Sequence, residues 1–153
     1  MSTTADISHA DAPTIRSARP DDAERVFVLL KQLAASYAPD RRAFDESFAF
    51  LVDDEATSAL LVAEDAAGLV IGYALTTITP LLYTNGRSAQ LQELVVDNHV
   101  RGSGVGTALI EAIEAVCRDR RVSQLTVASR RSADFYERLG YRSTADFLKK
   151  TFD

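Results

Sequence analysis

Residues Leu91 to Ala115 change character twice, and that succession restricts the fold more than any other feature of the chain. Leu91-Gln92-Glu93-Leu94-Val95-Val96 is mostly apolar and reads as a buried strand, while from Thr107 onward the apolar residues keep helical spacing. Between them stands Arg101-Gly102-Ser103-Gly104-Val105-Gly106. Glycines let a backbone approach a ligand with no Cβ in the way. A helix start aims unpaired N–H groups and a positive dipole end outward, which suits a phosphate. Two familiar phosphate loops are excluded: no lysine follows the glycines, and Thr107 occupies the place of the third glycine in a dinucleotide fingerprint. What stands is Arg-x-x-Gly-x-Gly at Arg101, Gly104 and Gly106. Read alone, it leaves a phosphate cradle and an empty strand-to-helix turn both open.

The rest of the chain supplies the context for this unit. With 153 residues, a single domain over residues 14–153 is expected, behind a flexible Ser/Thr/Ala/Asp-rich tail at 1–13. Thr14–Arg19 alternates like a half-exposed strand. Pro20-Asp21-Asp22 then opens a helix, with Asp21 as cap and Glu24 three residues on. Phe44, Phe48 and Leu51 mark one face of a second helix. Ser58–Glu64 and Leu69–Thr79 read as an antiparallel hairpin, turning at Asp65-Ala66-Ala67-Gly68. A longer connection, Thr79 to Arg87, precedes the central strand. After the glycine loop come a helix over about Gly104–Arg120, a strand at Ser123–Ala128 and a short helix at Ser132–Leu139. Gly140 follows at the usual C′ position, and a last strand is expected near residues 146–152. The order predicts an α/β domain with a mixed sheet, antiparallel strands first and a crossover helix later.

Composition excludes several classes. No apolar run approaches the roughly 20 residues of a membrane helix. The single Cys117 permits no internal disulfide, no Cys/His cluster has metal spacing, and a cytoplasmic protein is the expectation. Residues 1–100 carry 7 Lys+Arg against 15 Asp+Glu, whereas residues 101–153 carry 10 against 7. Such a split fits a cationic substrate and an anionic cofactor, and fits ordinary surface charge equally well. The acidic first part argues against a nucleic-acid partner.

A second landmark is Phe135-Tyr136, closing on Leu139-Gly140-Tyr141. With both landmarks in this order, the chain from Ile15 to about Phe152 resembles the GNAT superfamily of acyl-CoA-dependent N-acetyltransferases. The resemblance implies the GNAT fold and acetyl-CoA as cosubstrate. It implies that Arg101, Gly102, Ser103, Gly104, Val105 and Gly106 wrap the cofactor's pyrophosphate. The backbone of Leu94, Val95 and Val96 would run beside the pantetheine arm, and Tyr136 would protonate the departing thiolate. Where relatives carry asparagine and alanine, this chain has Ser129 and Ser132, so Ser129 takes the place of the pantetheine-binding asparagine. Asn98 stands where proline is common. The acceptor implied is the primary amine of a small molecule or peptide, and homodimers are frequent among relatives. A non-catalytic acyl-CoA-binding module and an enzyme acting on macromolecules are the alternatives.

Attack on a thioester needs a neutral amine, and a lysine-like amine keeps its proton below a pKa of about 10.4, so a base is useful. Glu93 is the candidate: it stands at the head of the apolar strand and should point away from Gln92 and Leu94. Its plainer reading is a solvated glutamate at a strand end. Tyr136 likewise has a plainer reading, as a packed aromatic. Cys117 reads as a small helix residue, and Arg130 and Arg131 as candidates for the adenosine 3′-phosphate or as exposed charge. Tyr37, Phe44, Phe48, Leu82 and Tyr83 are apolar candidates for the acceptor side, with Asp45 and Glu46 as contacts for a cation.

Overall fold

The alternation of apolar and polar residues along five segments builds one sheet, and the helices cover it unequally. The computed structural model describes residues 12–34, 36–129 and 132–152. Most of the expected tail, with His9, and the pair Arg130 and Arg131 lie outside the described residues. In chain order the elements are β1 (Thr14–Ser17), a 3₁₀ turn (Pro20–Asp22), α1 (Ala23–Leu33), α2 (Arg41–Asp53), β2 (Ser58–Glu64) and β3 (Val70–Leu81). There follow β4 (Gly86–Val96), a second 3₁₀ turn (Asn98–Val100), α3 (Val105–Asp119), β5 (Gln124–Val127) and α4 (Ala133–Arg138). Neighbouring strands pair in the order β1-β2-β3-β4-β5. The first four are antiparallel, and β5 joins β4 in parallel across the α3 crossover. This is the mixed α/β architecture expected.

Four details differ from the sequence reading. The central strand begins at Gly86, not Leu91, because Ser88 and Gln90 alternate with the inward Ala89 and Leu91 on a face partly open to solvent. The connection before it shrinks to Leu82–Asn85, since β3 continues through Pro80, one residue from the end of its ladder. Asp21 caps nothing: Asp22 accepts the Arg19 backbone N–H at 2.7 Å, and α1 starts behind it. The last strand is absent, and residues 141–152 have no regular structure, with Phe147, Leu148 and Phe152 exposed.

Each face of the sheet has its own core. On one, α3 packs Val105, Leu109, Ile110 and Ile113 against Leu61, Ala74, Ile78 and Leu91. Gly72 makes that fit possible. A Cβ there would lie 3.0 Å from the Val95 carbonyl oxygen and 3.2 Å from both Leu109 Cδ1 and Val105 Cγ1. On the other face, Val26, Leu29 and Phe48 of α1 and α2 pack against Val62, Tyr73, Leu75 and Val95. Arg16 ties that side together, donating to Asp22 at 2.7 Å and to Glu64 at 3.2 Å. Arg41 joins α1 to α2 through Glu24 and Asp45 while lying over the rings of Phe27 and Phe44.

Gly72→Ala should lower unfolding free energy by about 1–3 kcal/mol, because the nearest obstacle is backbone and cannot swing aside; urea titration measures it. Asp22 gives a pH test. Hydrogen bonding to Arg16, more than it is opposed by burial, holds its carboxyl below the usual carboxylate range. A depressed folded value means the stabilisation is complete above the unfolded value and is lost as pH falls through the folded one. Asp22→Asn should therefore cost about 1.5–3 kcal/mol at pH 7 and make the urea midpoint less sensitive to pH below about 4.

Candidate active site

The site grows out of an irregularity in β4. Leu75 pairs with Glu93 but Thr76 pairs with Leu91, so Gln92 is an extra residue, a β-bulge. Leu91 and Leu94 consequently share the α3 face, while Glu93 and Val95 turn toward α1 and α2. Glu93 therefore sits well inside an 11-residue strand rather than at its head. Gln92 lies on its side of the sheet and not opposite, with Gln92 Nε2 donating to Thr77 Oγ1 at 2.9 Å. A single inserted residue reverses the alternation that a plain strand would keep.

The pairing with β5 stops at the same place. Ser88 to Leu91 pair with Gln124 to Val127, and among the described residues β5 offers no partner to Gln92–Val96. One edge of the strand that carries Leu94, Val95 and Val96 is thus open between the two sheet faces. Their side chains are committed to packing, Leu94 and Val96 toward α3 and Val95 toward α1. What they present along that edge is backbone.

At the end of the edge the chain turns on Asp97. Its buried carboxylate accepts the His99 N–H at 3.1 Å and Arg25 Nη2 at 3.1 Å. The His99 bond, more than the guanidinium, holds this carboxyl below its ordinary range. Arg25 also donates to the Val70 carbonyl, so α1 pins the base of the loop. Gly102 and Gly104 then take φ of +83° and +89°, a left-handed backbone that suits glycine, and no atom lies within 4 Å of where their Cβ atoms would be. Arg101 is exposed and reaches the Val96 carbonyl at 3.4 Å; Ser103 Oγ donates to the Val100 carbonyl. The first helical bond runs from the Ala108 N–H to the Gly104 carbonyl, leaving the N–H groups of Val105, Gly106 and Thr107 without intrahelical partners. The Val105 side chain is buried, so its contribution to the loop is its backbone.

Over this end of β4 lies α4. The position of a Cβ on Gly106 is 3.5 Å from Phe135 Cζ and 3.7 Å from Val96 Cγ2, so Phe135 docks α4 beside the loop and the open edge. Tyr136 is the more deeply buried of the two, set edge-on to Phe135 and Tyr141 with centroids 5.0 and 5.8 Å away. Burial raises its phenol pKa, which keeps the proton in place at neutral pH. Ser129 is exposed, and its Oγ accepts the Ser132 N–H at 3.1 Å at the start of α4.

Glu93 is half-buried and accepts a hydrogen bond from the hydroxyl of Tyr73 at 2.8 Å. Burial first, then the neighbouring carboxylate, drives the Tyr73 phenol far above its ordinary pKa, so it is a permanent donor. Tyr73, Asp97, Arg25 and Gly72 were not expected in the site. Only Asp97 had a local signal, an Asp just beyond a strand and two residues before an N–H it can cap. The others act through register and helix docking, which spacing does not reveal.

The remaining candidates separate. Phe44 and Phe48 stack at 5.4 Å between the helices, and Asp45 and Glu46 pair with Arg41 and Arg42. Leu82 and Tyr83 stand exposed at the hairpin tip, far along the strands from Glu93. Cys117 is buried in the α3 core with its thiol pKa raised by burial, a packing residue as expected. Among the described residues no cluster has the makings of a metal site, and no helix is long and apolar enough to cross a membrane.

Comparison with known proteins bears on the family and the fold. The family model described as an acetyltransferase (GNAT) domain matches residues 56–143. Glucosamine 6-phosphate N-acetyltransferase of Trypanosoma brucei brucei is 33% identical over 78 residues, covering 50% of this chain and 53% of that protein. Thialysine N-epsilon-acetyltransferase of Bos taurus is 32% identical over 75 residues, covering 46% and 44%. The chain thus spans about half the length of the curated relatives it matches. The crystal structure of glucosamine-6-phosphate N-acetyltransferase from Arabidopsis thaliana has a TM-score of 0.80 over 92% of this chain and 99% of that one, at 22% identity, a likeness of fold.

A carboxylate set inside a sheet at a cost to stability should show that cost. Tyr73→Phe leaves Glu93 short of a donor and should destabilise by about 1.5–3 kcal/mol. Adding Glu93→Leu should return the protein to at least its original stability, since an apolar pair needs no donor. Denaturant unfolding of the single and double variants checks both; a double variant weaker than the single one would make Glu93 a structural residue.

Proposed function

The chain belongs to the GNAT acetyltransferase family, and from that premise we propose that it is an acetyl-CoA-dependent N-acetyltransferase acting by direct transfer on the primary amine of a small molecule or peptide. The observation that carries the reading is the open edge of β4 from Gln92 to Val96, with Glu93 turned to one face and Tyr136 packed on the other. Residues 14–153 act as one catalytic domain.

The residues fit the cosubstrate. The backbone of Leu94, Val95 and Val96 provides donors and acceptors to a pantetheine arm along the open edge. The loop from Arg101 through Gly102, Ser103, Gly104 and Val105 to Gly106 turns backbone N–H groups toward a pyrophosphate, and the α3 dipole favours its charge. The Ser129 hydroxyl can donate to the same arm while it accepts from Ser132. Acetyl-CoA supplies an acyl group already activated as a thioester.

Proton movements then fall to two side chains. A Glu93 carboxylate oxygen takes the amine's proton, directly or through a water, and Tyr73 keeps that carboxylate oriented meanwhile. Backbone N–H groups near Val95 and Val96 hold negative charge on the acyl oxygen. Tyr136 Oη gives its proton to the leaving thiolate, and the raised pKa of the buried phenol guarantees that the proton is there to give.

The sole, buried, free Cys117 fits a reducing, cytoplasmic setting. Exposed Phe147, Leu148 and Phe152 on the C-terminal segment, and Leu82 and Tyr83 on the hairpin, supply apolar surface that a homodimer would cover.

Tyr136→Phe should lower kcat by about 10²–10⁴-fold and leave the KM for acetyl-CoA close to wild type, measured by thiol release. Unchanged kcat would remove Tyr136 from the acid role.

A further inference from the structure

Half of one sheet face is paved with side chains that acetyl transfer does not use. Register places Thr77 and Thr79 of β3, Ser88 and Gln90 of β4, and Gln124 and Thr126 of β5 on the face toward which Glu93 turns. The bulge adds Gln92. α1 and α2 cover the far side of this face, over β2 and the start of β3, and leave these residues outside their core. Thr77, Thr79, Leu81, Ser88, Gln90 and Gln92 line a cleft of about 200 Å³, whose lining along β4 ends at Gln92, the residue before Glu93.

The chemistry of that lining is uniform. Apart from Leu81 every group is a hydroxyl or a primary amide, and none is ionisable near neutral pH. Globular surfaces are commonly a quarter to a third Lys, Arg, Glu and Asp, so a neutral strip across three strands points to a ligand rather than to bulk solvent. The strip is also pre-ordered. Gln92 Nε2 donates to Thr77 Oγ1 at 2.9 Å, and Gln124 Nε2 donates to Ser88 Oγ at 3.2 Å. With those oxygens accepting, the two hydroxyl hydrogens stay available as donors and the two amide oxygens as acceptors.

We propose that this cleft seats the body of the acceptor, and that the acceptor is a primary amine on a compact, uncharged, polyhydroxylated frame, an amino sugar of one ring. The proposal rests on the reading of Glu93 as the group that receives the amine's proton. Adjacent ring hydroxyls each offer one donor and two acceptor sites, which hydroxyl and amide side chains match in both senses. A polyamine would need further carboxylates. The lining holds none, and Glu24, Asp45 and Glu46 are paired with Arg41 and Arg42 on the helices, as Asp22 and Glu64 are with Arg16. A phosphate ester would need Arg or Lys in the lining, and a peptide would call for apolar side-chain pockets, where Leu81 stands alone. The cleft is smaller than the roughly 300–1,000 Å³ of sites for drug-sized ligands, which suits a single ring.

Thiol release from acetyl-CoA with D-glucosamine, glucosamine 6-phosphate, spermidine and a lysine-containing tripeptide tests the assignment. D-glucosamine should give the highest kcat/KM, and Gln90→Leu or Thr77→Val should raise its KM about ten-fold through a lost hydrogen bond, with the KM for acetyl-CoA unchanged. Preference for any of the other three amines, or a wild-type KM in the cleft variants, overturns the cleft assignment while leaving acetyl transfer standing. Should no amine be acetylated, the transfer reading itself fails. The cleft is then decided by nuclear magnetic resonance titration of the wild-type protein with D-glucosamine: shifts in the Gln90 and Gln92 side-chain amides uphold it, and their absence overturns it.

Discussion

β4 gains one residue at Gln92 and loses its parallel neighbour after Leu91, and the arrangement of the site depends on these two linked events. A regular strand would hold Leu91, Glu93 and Val95 on one face and stay bonded on both edges. The insertion reverses that parity, turns the carboxylate away from α3 and coincides with the loss of pairing. The irregularity carries a cost. Thr76, which pairs with Leu91 beside the bulge, is buried with a hydroxyl that has no partner among the described residues, an arrangement worth about 1–3 kcal/mol. Bulges persist next to functional sites because they re-aim a side chain, and here the side chain re-aimed is Glu93.

Rigid packing on either side keeps this opening in place. α3 sits so close to the sheet that Gly72 has no room for a Cβ, and its first turn therefore meets the end of β4 at one defined depth. α1 reaches the same end from the opposite face, where Arg25 holds both the Val70 carbonyl and the Asp97 carboxylate. Asp97 is fixed twice over, by a side chain from α1 and by the backbone of the turn it begins. The loop can then present bare backbone without collapsing, since its two ends belong to elements locked by burial.

Much of the fold was legible in the residues. Ser58–Glu64 lies where its apolar run predicted, the hairpin to β3 forms, and the strand, glycine loop and crossover helix follow in order. The second helix was readable from the spacing of Phe44, Phe48 and Leu51, whereas its cap, Asp40, was not singled out. The errors arose where a polar residue has a tertiary reason to be in a strand or at a cap. Ser88 and Gln90 look like loop residues until the uncovered face of the sheet is known. Asp22 outcompetes Asp21 because Arg16, on a different element, is within its reach. Among the candidate residues, pattern singled out the loop and Tyr136, but not the partner of Glu93. Tyr73 meets it across a strand pair whose register is shifted by a bulge, and no local spacing encodes that shift.

The two candidate proton carriers are made different by opposite means. Tyr136 is surrounded by rings and apolar side chains, an environment that disfavours the phenolate and so stores a proton on the α3 side of the sheet. Glu93 is half-buried on the other side and accepts a hydrogen bond from the hydroxyl of Tyr73. Burial that holds a proton on a phenol would penalise a charged carboxylate, so the surroundings of Tyr136 do not suit a carboxylate. Placing them on opposite faces of the sheet separates the two environments, and the open edge of β4 is where those faces communicate. The bulge at Gln92 sets which residues of β4 turn to each side, Glu93 and Val95 toward α1 and α2 and Leu91 and Leu94 toward α3.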